Sequence, residues 1–158
     1  VTGPPPPPAP VSGLPRCAVC ETYPDPVNEN QWRLKADESV ACGTIDTAIV
    51  TFDRSAFTFF GPSACSRDTG IVMTIYLETK KLDRDMSNVY ISKVSFFYYD
   101  RVAPSYIFIS SAAYPFSMVI EQYDHRTKMA TGRFEGFARR TNGINGAISA
   151  GRFKVKLL

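Results

Sequence analysis

From Gln31 to the C-terminus, apolar side chains recur at every second position, in runs separated by turn residues. That repeat puts successive side chains on opposite faces of an extended chain; an amphipathic helix would need a period of about 3.6 residues. Segment Gly70–Glu78 is the clearest instance, with Ile71, Met73, Ile75 and Leu77 on one face and Val72, Thr74, Tyr76 and Glu78 on the other. One face is therefore made for a core. The same reading marks Gln31–Ala36, Val40–Phe52, Ala56–Phe60, Asn88–Asp100, Ser105–Ser110, Phe116–Tyr123, Lys128–Arg139 and Ala147–Leu157 as strands. The expected fold is all-β: an antiparallel β-sandwich or a flattened, partly open β-barrel.

The turns point the same way. Asp124-His125-Arg126-Thr127 bridges two runs, and a loop with Asn142-Gly143 and Asn145-Gly146 bridges the last two, so the chain ends in a meander of hairpins. Two of those strands carry the same string, Gly132-Arg133-Phe134 and Gly151-Arg152-Phe153, with arginine on the face opposite glycine and phenylalanine. Ala130, Gly132, Phe134, Gly136 and Ala138 form a stripe of small residues broken by one ring, which suits a strongly curved sheet.

With 158 residues, 44% of them apolar, the chain has material for one core. Nine of its twelve prolines fall within the first 26 residues, so composition changes abruptly before Asn28. Residues 1–27 read as an extended proline-rich arm, a spacer or a docking element, and residues 28–158 as a single antiparallel domain. No apolar run approaches the roughly 20 residues that span a bilayer as a helix, so a soluble domain is expected. A net charge of +3 is too dilute to call for nucleic acid.

Cys17, Cys20, Cys42 and Cys65 are an even set in a small loop-rich chain, which fits disulfides in an oxidising compartment. Of three pairings, Cys17–Cys20 with Cys42–Cys65 is favoured, because the second bond would tie the start of a long strand to the loop Gly61–Asp68. Cys-x-x-Cys among prolines is poorly placed for a redox dithiol, which normally opens a helix. It is also only half of a zinc pattern.

Catalytic signatures are weak. His125, the only histidine, sits beside Asp124 in a tight turn and reads as a turn residue. Glu121 and Glu135 face outward, and neither a phosphate-binding loop, a Gly-x-Ser-x-Gly elbow nor a His-Glu-x-x-His string occurs. No enzyme, cofactor or metal is expected. Arg139-Arg140 reads as a solvated hairpin end. Aromatic residues, 13% of the chain, are the remaining signal. Alternation puts Phe96 and Tyr98 in the core and Phe97 and Tyr99 outside; the rings read first as packing, with Trp32 a core or barrel-plug residue, and in the alternative Trp32, Phe97, Tyr98, Tyr99 and Tyr106 make up a candidate aromatic binding surface.

The strings Ser117–Asp124, Lys128–Phe134 and Ala150–Val155 resemble the closing hairpins of small all-β lipoproteins of Bacteroidetes envelopes, where an ITITKYD-like strand leads to an ISGTFSF-like strand and the last ends in an NGKFDV-like string. Gln31–Ala36 and Gly43–Ala48 are similar to the family's opening tryptophan strand and its successor. Such a resemblance implies an envelope compartment and a β fold, without catalytic residues to carry over. A mature lipoprotein begins with its lipid-bearing cysteine, whereas residue 1 is valine, so membrane association is expected only through an anchor ahead of it. The expected function is a non-catalytic extracytoplasmic domain, in the periplasm, at the outer-membrane surface or secreted, that binds or scaffolds a protein partner. The alternatives are a subunit of an extracellular assembly, packed through its arm or an edge strand, and a domain that binds glycan or a small apolar ligand.

Overall fold

The computed structural model describes residues 17–25, 27–37, 39–102 and 105–157. Eleven strands follow a helical turn, α1 (Ala18–Glu21): β1 (Gln31–Ala36), β2 (Ser39–Thr44), β3 (Thr47–Val50), β4 (Ala56–Pro62), β5 (Thr69–Tyr76), β6 (Met86–Ile91), β7 (Val94–Asp100), β8 (Ser105–Ser110), β9 (Phe116–Asp124), β10 (Met129–Arg139) and β11 (Asn145–Lys156). All pairings between them are antiparallel, in the order β2-β1-β11-β10-β8-β7-β5-β4-β3, with β9 also on β10 and β6 on β9.

This single sheet curls into a half-barrel rather than splitting into a sandwich. Segment Val40–Phe52, expected as one strand, bends at Ile45–Asp46 and changes partner: β2 lies on β1, and β3 lies on β4. At the bend, Asp46 N–H donates to Phe60 O (3.0 Å), Ala64 N–H to Cys42 O (2.9 Å), and Gly43 bridges Ser63. The two ends of the sheet therefore meet. Asn88–Asp100, also expected as one strand, breaks at Ser92-Lys93 into β6 on β9 and β7 on β5. Its partner breaks too, between β8 and β9, so the long hairpin splays away from the curl.

Curvature comes from the stripe of small residues. The two Gly-Arg-Phe strings lie against each other in register: Gly132 opposite Phe153, Arg133 opposite Arg152, Phe134 opposite Gly151. On the inner face each glycine makes room for the other string's ring. A Cβ at Gly132 would lie 2.5 Å from the Phe153 ring, and one at Gly151 2.4 Å from the Phe134 ring. Next to them β10 skips register between Phe134 and Gly136, and Ala150 of β11 takes a left-handed φ of 49°. Paired irregularities of this kind bend a sheet sharply.

Inside, rings touch in a chain: Phe116 on Phe96 (5.1 Å between centroids), Phe96 on Phe134 (6.2 Å), Phe134 on Phe153 (6.5 Å) and Phe153 on Phe59 (5.2 Å). Loops finish both ends. At one, Leu77, Leu82 and Tyr123 are buried in the core, and Arg54 donates to Leu82 O and to the Tyr123 hydroxyl (3.1 Å). At the other, Arg140 lies over the Phe108 ring (5.7 Å) and is ion-paired with Asp37. Arg140 is thus a plug, not the solvated residue expected; its side chain is 12% exposed.

The N-terminal stretch also departs from expectation. Cys17 and Cys20 are buried against Cys42, with Tyr23 and Val40 packed on them, so Cys17–Asp25 lies on the sheet instead of standing clear of it. The remainder of the expected arm, residues 1–16 and residue 26, lies outside the described residues. None of the helices described is long and apolar enough to cross a membrane.

Candidate binding surface

The disulfides join Cys17 to Cys65 and Cys20 to Cys42, not Cys17 to Cys20 and Cys42 to Cys65. The reason is where the helical turn lands. It lies across β2 and the β4–β5 hairpin, bringing Cα atoms to 5.4 Å for Cys20–Cys42 and 5.9 Å for Cys17–Cys65. Sulfurs of Cys17, Cys20 and Cys65 fall within 4.8 Å of one another, close enough for a metal site, but bonded as disulfides they are not thiolate ligands.

Two of the five expected surface rings are core residues. Trp32 is fully buried and Tyr98 nearly so, meeting edge to face at 6.2 Å. Trp32 points inward from β1, over the bare backbone of Gly43 and Gly61, and its indole N–H has no hydrogen-bond partner among the described residues. The Tyr98 hydroxyl is held by Ser63 and Thr69, and burial pushes its pKa up to about 12. Beside it a cleft of about 260 Å³ opens between Cys17, Ser63, Thr69, Asp100 and Ile107.

Phe97, Tyr99 and Tyr106 do come together outside. Phe97 and Tyr106 lie 6.1 Å apart, and Tyr99 pairs with Tyr106 and carries Arg101 over its ring at 5.6 Å. Burial raises the Tyr99 pKa, with Arg101 opposing and Asp46 adding to the rise. Strict alternation from buried Phe108 would have turned Tyr106 inward. A bulge at Ile107 reverses it.

These rings belong to a larger surface. In register across four strands run Phe60, Val72, Phe97 and Ile109, each on the outer face, with Phe60 37% exposed and Ile49 beside them on β3 56% exposed. Strands β3, β4, β5, β7 and β8, neighbours in the sheet, carry one charged residue among them, Asp100. Strands β1, β11 and β10 carry seven basic residues and one acidic one. The outer face is therefore divided into a charge-poor aromatic half and a basic half. Sequence reading missed this division because it appears only once strand order is known.

Other chemistry is local. His125 Nδ1 lies 3.1 Å from the Tyr123 hydroxyl, Lys128 Nζ 3.2 Å from both ring nitrogens, and His125 N–H donates to Asp85 (2.8 Å). Asp124 accepts from the Arg126 and Thr127 amides, the turn role read from sequence. A cleft of about 660 Å³ lies where β6 breaks from β7 and β8 from β9, lined by Tyr76, Tyr114, Lys93 and serines 92, 95, 110 and 111. Neither a protein-family model, nor a curated protein, nor a solved structure matches the chain.

Proposed function

We propose that this protein is a non-catalytic extracytoplasmic domain that binds a protein partner through the aromatic half of its outer face. One observation carries the reading: five adjacent strands present Ile49, Phe60, Val72, Phe97, Tyr99, Tyr106 and Ile109 outward with a single charge among them. Inward side chains of those strands fill the core; of the outward set Ile49 and Phe60 are exposed, and Val72, Phe97, Tyr99, Tyr106 and Ile109 are half-buried. Exposed aromatic area depleted of charge is the composition of an interface centre. Two disulfides support an oxidising compartment outside the cytoplasm.

To test this, a photo-crosslinking amino acid is placed at Tyr106, and separately at Lys154 on the basic half, in cells that make the protein. The expected result is a discrete adduct from Tyr106 alone, lost when Phe60→Lys and Phe97→Lys are added with the melting temperature held. Adducts from both positions, or from neither, overturn the proposal. If the Tyr106 adduct has the mass of two copies, the partner is another subunit and the domain belongs to an assembly.

A further inference from the structure

On the basic half, three arginines face one another across adjacent strands. Arg33 of β1 is opposite Arg152 of β11, which is opposite Arg133 of β10; the row continues through Val119 of β9 to Tyr90 of β6. Like charges directly opposed in a sheet are destabilising. Here that opposition occurs twice in succession. Two carboxylates relieve it in part: Glu121 bridges Arg133 (3.3 Å) and Arg152 (3.1 Å), and Asp25 lies 3.5 Å from Arg33 and 3.6 Å from Arg152. Three guanidiniums bring five N–H donors each, far more than two carboxylates occupy. Arg133 is 52% exposed.

Next to the arginines runs a groove of about 320 Å³ whose lining includes Tyr90, Ser117, Arg133, Glu135 and Arg152. Tyr90 is 68% exposed and offers a ring face to stack on. Around the row, Lys35, Lys154, Lys156 and Arg139 add positive charge on the same three strands, against Glu135. We propose that this face binds an acidic polysaccharide, with carboxylates of the sugar on Arg133 and Arg152 and a sugar ring on Tyr90. Strand spacing of about 4.8 Å sets the arginines one step apart, and a sugar residue is about as long as one step, so a polymer laid along the row presents its charges in turn. A planar fork matches a carboxylate. An acidic peptide would use the arginines but has less to gain from the ring and the Ser117 hydroxyl. The site lies apart from the aromatic half and does not depend on what binds there.

The full chain is titrated with a galacturonic acid oligosaccharide, and in parallel with a neutral cellulose oligosaccharide, a polyglutamate peptide and phosphatidylglycerol vesicles. The expected result is binding of the galacturonate alone, weakening roughly tenfold as salt rises from about 50 to about 200 mM. The Arg133→Gln and Arg152→Gln double variant loses about tenfold or more. Glu121→Gln removes the carboxylate that Arg133 and Arg152 share, leaving Asp25 on Arg152, and tightens binding several-fold, which a purely structural ladder would not do. No binding of galacturonate overturns the proposal, as do equal binding of polyglutamate or vesicles and an affinity unchanged in the double variant. Should the double variant not fold, Glu121→Gln decides alone: tighter binding supports the site, and unchanged or weaker binding overturns it.

Discussion

Gly132 and Gly151 each face the other string's phenylalanine ring and also a backbone carbonyl, Val119 O at 2.9 Å and Phe134 O at 2.6 Å from an added Cβ, so shrinking the ring relieves part of the crowding. Gly132→Ala is expected to cost about 1–3 kcal/mol by overpacking against Phe153. Added to Phe153→Leu it is expected to cost less than alone, whereas Gly151→Ala, which meets Phe134, gains no relief from that change. Urea unfolding of the double-mutant cycle measures the coupling. Tyr98 supplies a second residue-scale outcome. Burial is the main cause that lifts its pKa from 10.0 to about 12, so the stability it contributes is complete below pH 10 and is lost as pH rises toward 12. The expected loss is about 2–3 kcal/mol. Tyr98→Phe is expected to remove most of that alkaline slope, read as urea midpoints across the same range. At this scale the sequence was partly legible. Alternation placed Phe97 and Tyr99 outside and Phe96 inside, because parity survives along an unbroken strand. It could not place Tyr106, since a bulge leaves no mark in the pattern, nor foresee that Gly43 and Gly61 clear a floor for Trp32.

At the level of elements, the short helical turn decides the cysteine pairing. Peptide mapping of unreduced protein is expected to give Cys17–Cys65 and Cys20–Cys42 fragments. Replacing Cys20 and Cys42 by alanine is expected to lower stability by up to about 3 kcal/mol, the closure entropy of that loop, with the second bond still holding Cys17. Calorimetry of the variant checks it. Sequence spacing suggested the local bond because a run of prolines hides how Cys17–Glu21 folds back on β2. Most strands were legible for the opposite reason: each has its own inward face. Where one run contained two strands, in Val40–Phe52 and Asn88–Asp100, apolar residues continued across the bend and only the change of partner revealed it. On the aromatic half, Phe97→Ser and Tyr106→Ser should each alter the melting temperature by only a few degrees, because neither ring is in the core; thermal scans test this.

For the whole molecule, strand order turns a modest net charge into two unlike faces. The Gly-Arg-Phe repeat was legible as architecture; that it sets three arginines in a row was not, because Arg33 lies far off in sequence and joins only through β11. The same pairing has a consequence for how the chain is made. The first strand finds its neighbour in the last: Gln31 is opposite Lys154. A ribosome releases β1 well before β11, so β1 stays half-paired until β11 has been made, and contacts so distant along the chain form slowly. Ending the chain at Gly146 is expected to leave both β1 and β10 without their shared neighbour and to abolish cooperative unfolding. Until β11 emerges, the nascent polypeptide presents an open sheet edge on β1, the kind of unpaired strand that invites wrong partners.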